Sequence, residues 1–281
     1  MILIADSGST KTQWALIDCN GEAGVVATPG INPVMLDRAG LLSALTEARR
    51  AMASAVVPDA IHFYGAGCLP EICPEVRDAL SEVFGADTVR VHSDMLGAAR
   101  ALWADSPGIA AILGTGANSC YYDGQRIVAN TPPLGYILGD EGSGARLGAR
   151  IINGVLKGYL PSEICRDFAE TTGLNKATII ERVYRRPGAN AFLASQTGFI
   201  ARHINNDAVA EMVIDEFRLF FSRNIVHAYP SDTPIGFVGS IAAVFEQQLR
   251  EAAASMGLET GRILRHPLPA LIDYHAKTTT V

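Results

Sequence analysis

Two short loops of the sequence combine glycine with hydroxyl side chains, the residue types that suit a phosphate group. The first is Asp6-Ser7-Gly8-Ser9-Thr10-Lys11-Thr12 and the second is Gly114-Thr115-Gly116. Small residues let backbone N–H groups approach an anion closely, and hydroxyl groups add further donors. The first loop does not satisfy the P-loop pattern, and a β-compatible segment follows it where a P-loop needs a helix. Each loop therefore indicates either a phosphate site or an ordinary hairpin turn.

Two aspartates stand at the ends of predicted strands. Asp6 follows the first strand, where a nucleotide-bound Mg²⁺ would need an oxygen ligand, usually through water. Asp94 follows another strand and starts a helix, so it could take the proton of a substrate hydroxyl during phosphoryl transfer. Either Ser93 or Asp94 could instead be the helix N-cap, a position that favours both residue types. Taken alone, the sequence favours the capping interpretation of Asp94.

Two further glycine-containing segments precede predicted helices. In Gly139-Asp140-Glu141-Gly142-Ser143-Gly144, adjacent acids could hydrogen-bond a polyol or simply offset the helix dipole. Gly239-Ser240 separates an apolar strand from a helix and could receive a purine, although glycine is also common in turns. Both segments leave a structural and a ligand-binding interpretation open.

The hydrophobic pattern predicts an α/β fold, because strands alternate with helices in the first hundred residues. Near Ser106 the plan restarts: an apolar strand at Ile109–Leu113, a small-residue loop and a strand at Ser119–Tyr122 echo the N-terminus. We therefore expect two domains, at residues 1–106 and 107–266, with the tail at about 267–281 packing back on the first. Predicted helices dominate the second half: Ser143–Leu156, Ser162–Thr172, Lys176–Arg185, Ala191–Ile204, Asp207–Tyr229 and Ile241–Met256.

The composition excludes several classes of protein. The 281 residues carry a net charge of −6, with 19% charged and 48% hydrophobic residues, which excludes disorder. An acidic chain without a Lys/Arg cluster is a poor partner for nucleic acid. The five cysteines lack the spacing of a zinc site or a disulfide framework, which favours a reducing compartment. Without a membrane-spanning run or a signal peptide pattern, a cytoplasmic protein is expected.

The order of these segments along the whole chain resembles the sugar kinase, Hsp70 and actin superfamily. Within it, Ile112-Leu113-Gly114-Thr115-Gly116 and Gly139-Asp140-Glu141-Gly142-Ser143 are similar to the N-acetylglucosamine kinase and BadF/BadG/BcrA/BcrD ATPase-like group. The resemblance implies two ribonuclease H-like, actin-like ATPase domains with an interdomain cleft, the C-terminal one enriched in helices. It also implies an ATP-dependent kinase that uses ATP and Mg²⁺ and phosphorylates an amino sugar, N-acetylglucosamine.

The resemblance also implies a role for each matching residue. Asp94 matches the catalytic aspartate that activates the sugar hydroxyl, and Asp6 would hold the metal. Gly239 and Ser240 match the adenosine motif. The ATP phosphates would bind Ser7, Gly8, Ser9, Thr10, Lys11, Gly114, Thr115 and Gly116, and the sugar would contact Asn32, Asp94, Gly135 and Asp140.

Other functions stay open at this point. Leu134 replaces an aromatic residue that animal N-acetylglucosamine kinases carry, which leaves the sugar open. One alternative is an ATPase that activates a dehydratase or reductase through an iron–sulfur cluster, and another is a non-catalytic nucleotide or sugar sensor. Cys120 in a predicted strand and Cys165 in a predicted helix disfavour the cluster. The expected partners are ATP and a sugar, with no nucleic acid or membrane, and a homodimer stays open.

Overall fold

The chain forms two compact units in the computed structural model, which describes residues 1–18, 23–52 and 56–278. The first unit is assembled from three separate stretches and the second from two. The first comprises Met1–Ser106, Asp123–Ile127 and His266–Val281, and the second comprises Pro107–Tyr122 and Val128–Arg265.

In the described part of residues 1–106, the first unit forms a mixed five-stranded sheet. Its strands are β1 (Ile2–Ser7), β2 (Lys11–Ile17), β3 (Ala23–Pro29), β4 (Ala60–Gly65) and β5 (Thr88–Ser93). They lie in the order β3-β2-β1-β4-β5, with β1 antiparallel to β2 and parallel to β4. The helices of this segment are α1 (Arg38–Ala51), α2 (Cys73–Phe84) and α3 (Asp94–Trp103).

The second unit repeats this plan. Its strands are β6 (Gly108–Leu113), β7 (Ala117–Tyr122), β8 (Ile127–Thr131), β9 (Ile235–Val238) and β10 (Thr260–Leu264). They lie in the equivalent order β8-β7-β6-β9-β10, again with an antiparallel first pair and a parallel β6–β9 pair. The repetition predicted from the sequence is confirmed.

The two units differ in what connects their third and fourth strands. In the first unit this connection is a 3₁₀ helix at Pro33–Met35 followed by α1. In the second unit seven helices are inserted there, which confirms the predicted enrichment. They are α4 (Gly135–Leu138), α5 (Gly144–Lys157), α6 (Ser162–Thr172), α7 (Lys176–Tyr184), α8 (Ala189–Ala194), α9 (Thr197–Arg202) and α10 (Asp207–Asn224), and after β9 come α11 (Ser240–Val244) and α12 (Glu246–Ser255).

Two long predicted helices are broken in the structure. The helix predicted at Ala191–Ile204 is split into α8 and α9 at Gln196, whose buried side-chain amide donates to the Phe192 carbonyl at 3.1 Å. The helix predicted at Ile241–Met256 is split at Phe245, where φ is −110° and ψ is 34°. The Phe245 ring is fully buried, so tertiary packing overrides the helical pattern at this point.

Aromatic side chains form the centre of each core. In the first unit, the Trp14 ring packs against Phe63 and Phe84 at centroid distances of 5.9 and 5.7 Å. In the second unit, Phe221 of α10 packs edge-on against Phe237 of β9 at 5.9 Å. The contact between Phe221 and Phe237 holds α10 against the sheet of the second unit.

Helix α13 (Leu268–Thr278) completes the first unit by packing against α3, β1 and β2. Its His275 ring lies 3.9 Å from the ring of His62, and its Nε2 is 2.9 Å from the Tyr64 hydroxyl, which also accepts from Arg100. Burial, helped by the neighbouring histidines and arginines, lowers the pKa of His275 to about 3. Burial likewise lowers the pKa of His62 to about 4.

Two further properties of the described residues concern membrane-spanning helices and the cysteines. No helix within them is both long and apolar enough to cross a membrane. Cys120 lies in β7 and Cys165 in α6, as predicted, and both are free thiols, as are Cys68 and Cys73. Cys19 lies outside the described residues.

Candidate active site

The carboxyl ends of three parallel strands bring two aspartates to one edge of the first sheet. In the register of β1, β4 and β5, Asp6 lies opposite Tyr64, and Tyr64 lies opposite His92. Asp94 follows Ser93, the last residue of β5, at the same edge. In α/β sheets, ligand sites form outside the carboxyl ends of such strands. The charge of Asp94 acts on Asp6, so the two residues are neighbours.

Ser93, and not Asp94, caps helix α3. The Ser93 hydroxyl accepts a hydrogen bond from the N–H of Leu96 at 3.3 Å. Asp94 is the first helical residue, and its Oδ1 accepts from the N–H of Met95 at 2.8 Å. Burial raises the pKa of Asp94 to about 6, although backbone hydrogen bonds act to lower it. The capping interpretation of Asp94 is wrong, and its pKa suits a general base near neutral pH.

Asp6 carries the second perturbed carboxyl group of this edge. Its pKa is raised to about 7 by burial and then by the charge of Asp94, while Lys11 acts in the opposite direction. Among the described residues, no cluster of three or more acidic, histidine or cysteine side chains could hold a metal unaided. Mg²⁺ usually takes one or two carboxylates together with substrate phosphates. The single carboxylate of Asp6 fits an ion that arrives with a nucleotide.

The first predicted phosphate loop, Asp6–Thr12, is a tight turn between β1 and β2. The N–H of Gly8 donates to the Lys11 carbonyl at 2.9 Å, so this donor belongs to the turn. The buried Ser7 hydroxyl lies 2.7 Å from Oγ1 of Thr12 and donates to the Ile31 carbonyl at 2.9 Å. The side chain of Ser7 therefore braces the hairpin.

Gly30 packs closely against the backbone of the same loop. A Cβ at this position would collide with the Gly8 carbonyl oxygen and lie 2.7 Å from backbone atoms of Ser9 and Thr10. On the loop itself, Ser9, Thr10 and Lys11 are exposed, so two hydroxyl groups and one amine are accessible. Sequence reasoning gave Gly30 no role, because one glycine at a strand end has many explanations.

Asn32 begins the 3₁₀ helix beyond β3. Its Oδ1 accepts from the N–H of Val34 at 3.1 Å. Gly67, with φ of +76°, approaches the same oxygen so closely that a Cβ there would collide with it. The side-chain oxygen of Asn32 is thus engaged in the turn.

The second predicted phosphate loop, Gly114–Gly116, is held by the start of helix α5. The N–H of Gly114 donates to the Gly116 carbonyl at 3.0 Å. The carbonyls of Gly114 and Thr115 accept from the N–H groups of Gly144 and Ala145 at 2.8 and 3.1 Å. These donors would otherwise be unsatisfied at a helix N-terminus. They hold the loop in place, so they are not donors for an anion.

Gly239 lies against the same loop because β6 and β9 end side by side. Its φ is +127°, and a Cβ there would collide with the Leu113 carbonyl. Its N–H donates to the Leu264 carbonyl at 2.8 Å. Ser240, which begins α11, is exposed. Only glycine fits between these two strand ends.

Asp140 also reaches the loop Gly114–Gly116. Its Oδ1 accepts from the N–H of Ala117 at 3.3 Å, and a Cβ on Gly116 would lie 3.0 Å from its Oδ2. Burial raises the pKa of Asp140, and the charge of Glu141 adds to the rise. Gly135 begins α4, and its carbonyl accepts from Gly139, one residue before Asp140, at 2.8 Å.

Comparison with known proteins identifies the family. No protein-family model and no curated protein matches the chain. A crystal structure from Porphyromonas gingivalis, described as a "Putative N-acetylglucosamine Kinase", is 46% identical with a TM-score of 0.96, covering 99% of this chain and 100% of that one. The chain belongs to the N-acetylglucosamine kinase-like family.

More distant structures share the fold of this family. A Chromobacterium violaceum protein of the same description is 17% identical, with a TM-score of 0.73 over 97% of this chain and 98% of that one. A ROK family glucokinase from Streptomyces griseus, in complex with glucose and AMPPNP, is 16% identical, with a TM-score of 0.56 over 97% of each chain. The predicted actin-like ATPase fold is confirmed.

In this member of the N-acetylglucosamine kinase-like family, sequence reasoning also missed residues on α10. Glu216 accepts a hydrogen bond from the N–H of Gly142 at 3.4 Å, and Arg223 donates to Glu141 at 2.7 Å. A signal for them exists, because Glu216 and Arg223 are seven residues apart and so share one helix face. Charged residues on a long helix are normally solvated, which hides such a pair.

Proposed function

We propose that the protein is an ATP-dependent kinase that transfers the γ-phosphoryl group of MgATP to a hydroxyl group of an amino sugar, N-acetylglucosamine. The observation that carries the proposal is the state of Asp94, which is half-buried and has a pKa raised to about 6. Ser93 is the N-cap of α3, so Asp94 does not fill that role. Family membership and the description of the 46% identical relative support the sugar. The glucokinase of the same fold holds glucose and AMPPNP, a sugar and an ATP analogue.

Asp94 would act as the general base. Its carboxylate takes the proton of the sugar hydroxyl as that oxygen attacks the γ-phosphorus, and the bond to the ADP oxygen breaks. A positioned base of this kind contributes about 10²–10⁴-fold to the rate. A pKa near the working pH keeps the group largely ionised yet able to accept a proton.

Asp6 would hold Mg²⁺ with the nucleotide phosphates, which leaves the Asp94 carboxylate free to accept the proton. When bound, the ion neutralises charge on the transferred phosphoryl group. Burial and the charge of Asp94 raise the pKa of Asp6 to about 7, and Lys11, exposed on the first loop, opposes this rise. The same lysine offers a positive charge to a phosphate.

The remaining roles follow the two phosphate loops. The exposed Ser9 and Thr10 hydroxyl groups and the backbone of Gly114-Thr115-Gly116 would bind phosphates, with Gly239 and Ser240 beside the adenosine. Asn32, Gly135 and Asp140 would contact the sugar. We assign Ser7 a bracing role and not a phosphate contact through its side chain, because its hydroxyl is engaged with Thr12 and Ile31.

The test is an ADP-release assay with MgATP and a panel of hexoses and N-acetylhexosamines, with the sugar phosphate identified by mass. We expect N-acetylglucosamine to give the highest kcat/KM. Asp94→Asn should lower kcat by about 10²–10⁴-fold while binding of a non-hydrolysable ATP analogue persists. Asp87→Asn, which changes an exposed aspartate just before β5, is the matched control and should keep full activity.

Three outcomes would contradict the proposal. Sugar-dependent ADP release unchanged in Asp94→Asn would remove Asp94 as the base. Stabilisation by nucleotide and sugar without turnover would favour a sensor. Iron in protein purified without oxygen would favour the activator ATPase.

A further inference from the structure

Helix α10 faces the loop Gly139–Ser143 with one stripe of side chains. Glu216, Phe220 and Arg223 are four and three residues apart, the spacing that places side chains on one helix face. A Cβ added to Gly142 would lie 3.0 Å from the Cβ of Phe220, so the loop backbone rests on the middle of the stripe. The charged residues on either side of Phe220 both bind the loop.

Glu216 is a fully buried carboxylate, with 0% of its surface exposed. It accepts hydrogen bonds from the N–H of Gly142 at 3.4 Å and from the guanidinium groups of Arg146 and Arg150 at 3.1 and 3.4 Å. A buried carboxylate needs such charged donors to offset its lost hydration. Glu216 therefore ties the loop and the first turn of α5 to α10.

Glu141 makes the second contact between the loop and α10. The Arg223 guanidinium donates to one carboxylate oxygen at 2.7 Å, and the Asn224 amide donates to the other at 3.4 Å. Burial acts to raise the pKa of Glu141, but these hydrogen bonds outweigh it and hold the pKa below its ordinary value. The side chain of Arg223 is 58% exposed, so it reaches from the surface to a carboxylate that is 8% exposed.

Asp140 immediately precedes both ties and has an unfavourable backbone conformation. Its φ is +57°, in the left-handed region that residues other than glycine rarely adopt. Such a conformation persists only where surrounding contacts over-determine it. Asp140 itself accepts from the N–H groups of Ala117 and Ser143 at 3.3 and 3.0 Å. The next two residues, Glu141 and Gly142, add the contacts with α10.

We infer that α10 is the positioning element for Asp140. Through the Arg223–Glu141 and Glu216–Gly142 contacts it holds the Asp140 carboxylate against Gly116 and Ala117 and thereby sets the affinity for the sugar. The inference rests on the proposed function, because it takes Asp140 as a sugar contact. Arg223 and Glu216 touch no substrate and act through the loop.

Hydrogen exchange measures the positioning directly. Arg223→Ala should speed the exchange of amides in the segment 139–145, because the loop loses one tie to α10. Arg223→Lys should restore most of the protection. Arg218→Ala is the matched control: Arg218 lies on the same helix but pairs with Glu211 and Asp215, at 2.6 and 3.1 Å. Unchanged exchange of this segment in Arg223→Ala would overturn the inference.

Kinetics then connect the loop to the sugar. Arg223→Ala should raise the KM for the sugar about tenfold and the KM for MgATP by clearly less, the signature of a lost ground-state contact with the sugar. A merely structural role would lower the active fraction, and hence kcat, without this split, and that result would overturn the inference. Arg223→Lys should recover most of the sugar KM, and Arg218→Ala should match wild type.

The two sets of results separate the inference from the proposed function. If the wild-type protein phosphorylates no sugar, the proposed function fails, and the exchange result alone decides whether α10 positions the loop. If the wild-type protein is an active sugar kinase and Arg223→Ala leaves both exchange and sugar KM unchanged, the positioning role fails alone.

Discussion

The two units share one sheet plan but equip its strand ends differently. In the first unit, the ends of β1 and β5 carry the carboxylates Asp6 and Asp94, both with raised pKa values. In the second unit, the ends of β6 and β9 carry Gly114 and Gly239. These glycines contact neighbouring residues through backbone N–H and carbonyl groups. The same topology therefore presents ionisable groups in one unit and closely packed main chain in the other.

The inserted helices explain part of this difference. Helix α5 donates two backbone hydrogen bonds to the loop Gly114–Gly116, and α10 binds the Gly139–Ser143 loop through Glu216 and Arg223. In the first unit the hydroxyl groups of Ser7 and Thr12 brace the equivalent hairpin within the strands themselves. Duplication supplies a scaffold, and the chemistry depends on what each copy adds at its strand ends.

Asp94→Asn is expected to give the largest effect and to separate charge from packing in the first unit. We expect kcat to fall by about 10²–10⁴-fold. The melting temperature should stay level or rise, because asparagine removes a charge whose burial is unfavourable. Steady-state kinetics and thermal unfolding check this. A lower melting temperature with a proportional loss of activity would make Asp94 structural.

Gly239→Ala probes the main-chain contacts of the second unit. A positive φ and a collision with the Leu113 carbonyl should together lower the free energy of unfolding by about 3 kcal/mol. Gly198→Ala is the control, since Gly198 is exposed in α9 with nothing within 4 Å of a new Cβ. That change should stabilise the protein by up to about 1 kcal/mol. Similar effects of both substitutions on chemical denaturation would break the comparison.

Acid should destabilise the first unit through His275. Its folded pKa of about 3 lies below the ordinary value of 6.5, so the unfolded chain binds a proton that the folded chain does not. Stability is therefore full above pH 6.5 and falls as the pH drops towards 3. The loss is about 2 kcal/mol per buried histidine between about pH 7 and 5.

Urea unfolding across this pH range checks the prediction. In His275→Phe the pH dependence should shrink, because the ring can no longer be protonated in the unfolded chain. His227→Phe changes an exposed histidine of the second unit and should leave the dependence intact. A pH dependence that is the same in both variants would count against the role of His275.

Gly30→Ala should give the smallest effect and show that the first unit also depends on close backbone packing. The new Cβ would push the loop Gly8–Thr10 outward. We expect the KM for MgATP to rise about tenfold, equivalent to about 1.4 kcal/mol, with the sugar KM unchanged. Gly24→Ala, in β3 with nothing within 4 Å of a new Cβ, is the control. An unchanged KM for MgATP would separate the loop from the nucleotide.

The central strands were predictable and three edge strands were not. β1, β4, β6 and β9 are short apolar runs, because each is buried between two neighbouring strands. The unpredicted strands β3, β8 and β10 all lie at sheet edges. An edge strand has one neighbour and an exposed side, so it needs no continuous apolar pattern. Their positions depend on the strands beside them.

The candidate site divides in the same way. Asp6, Asp94 and the glycine loops could be predicted because residue type and position at a strand end carry their signal. The bracing by Ser7, the fit of Gly30 and the ties of Glu216 and Arg223 could not, because each depends on a partner more than 20 residues away in the sequence. Such contacts exist only once the tertiary structure brings the partners together.

Helix α13 sets the order in which a newly made chain can finish folding. Leu268 and Leu271 fill the core of the first unit, yet they are translated after the whole second unit. Domains usually fold as they leave the ribosome, the N-terminal one first. Here the second unit has all of its residues once Arg265 has emerged, whereas the first still lacks its last helix. The unit whose strands are translated earlier is therefore completed after the second unit.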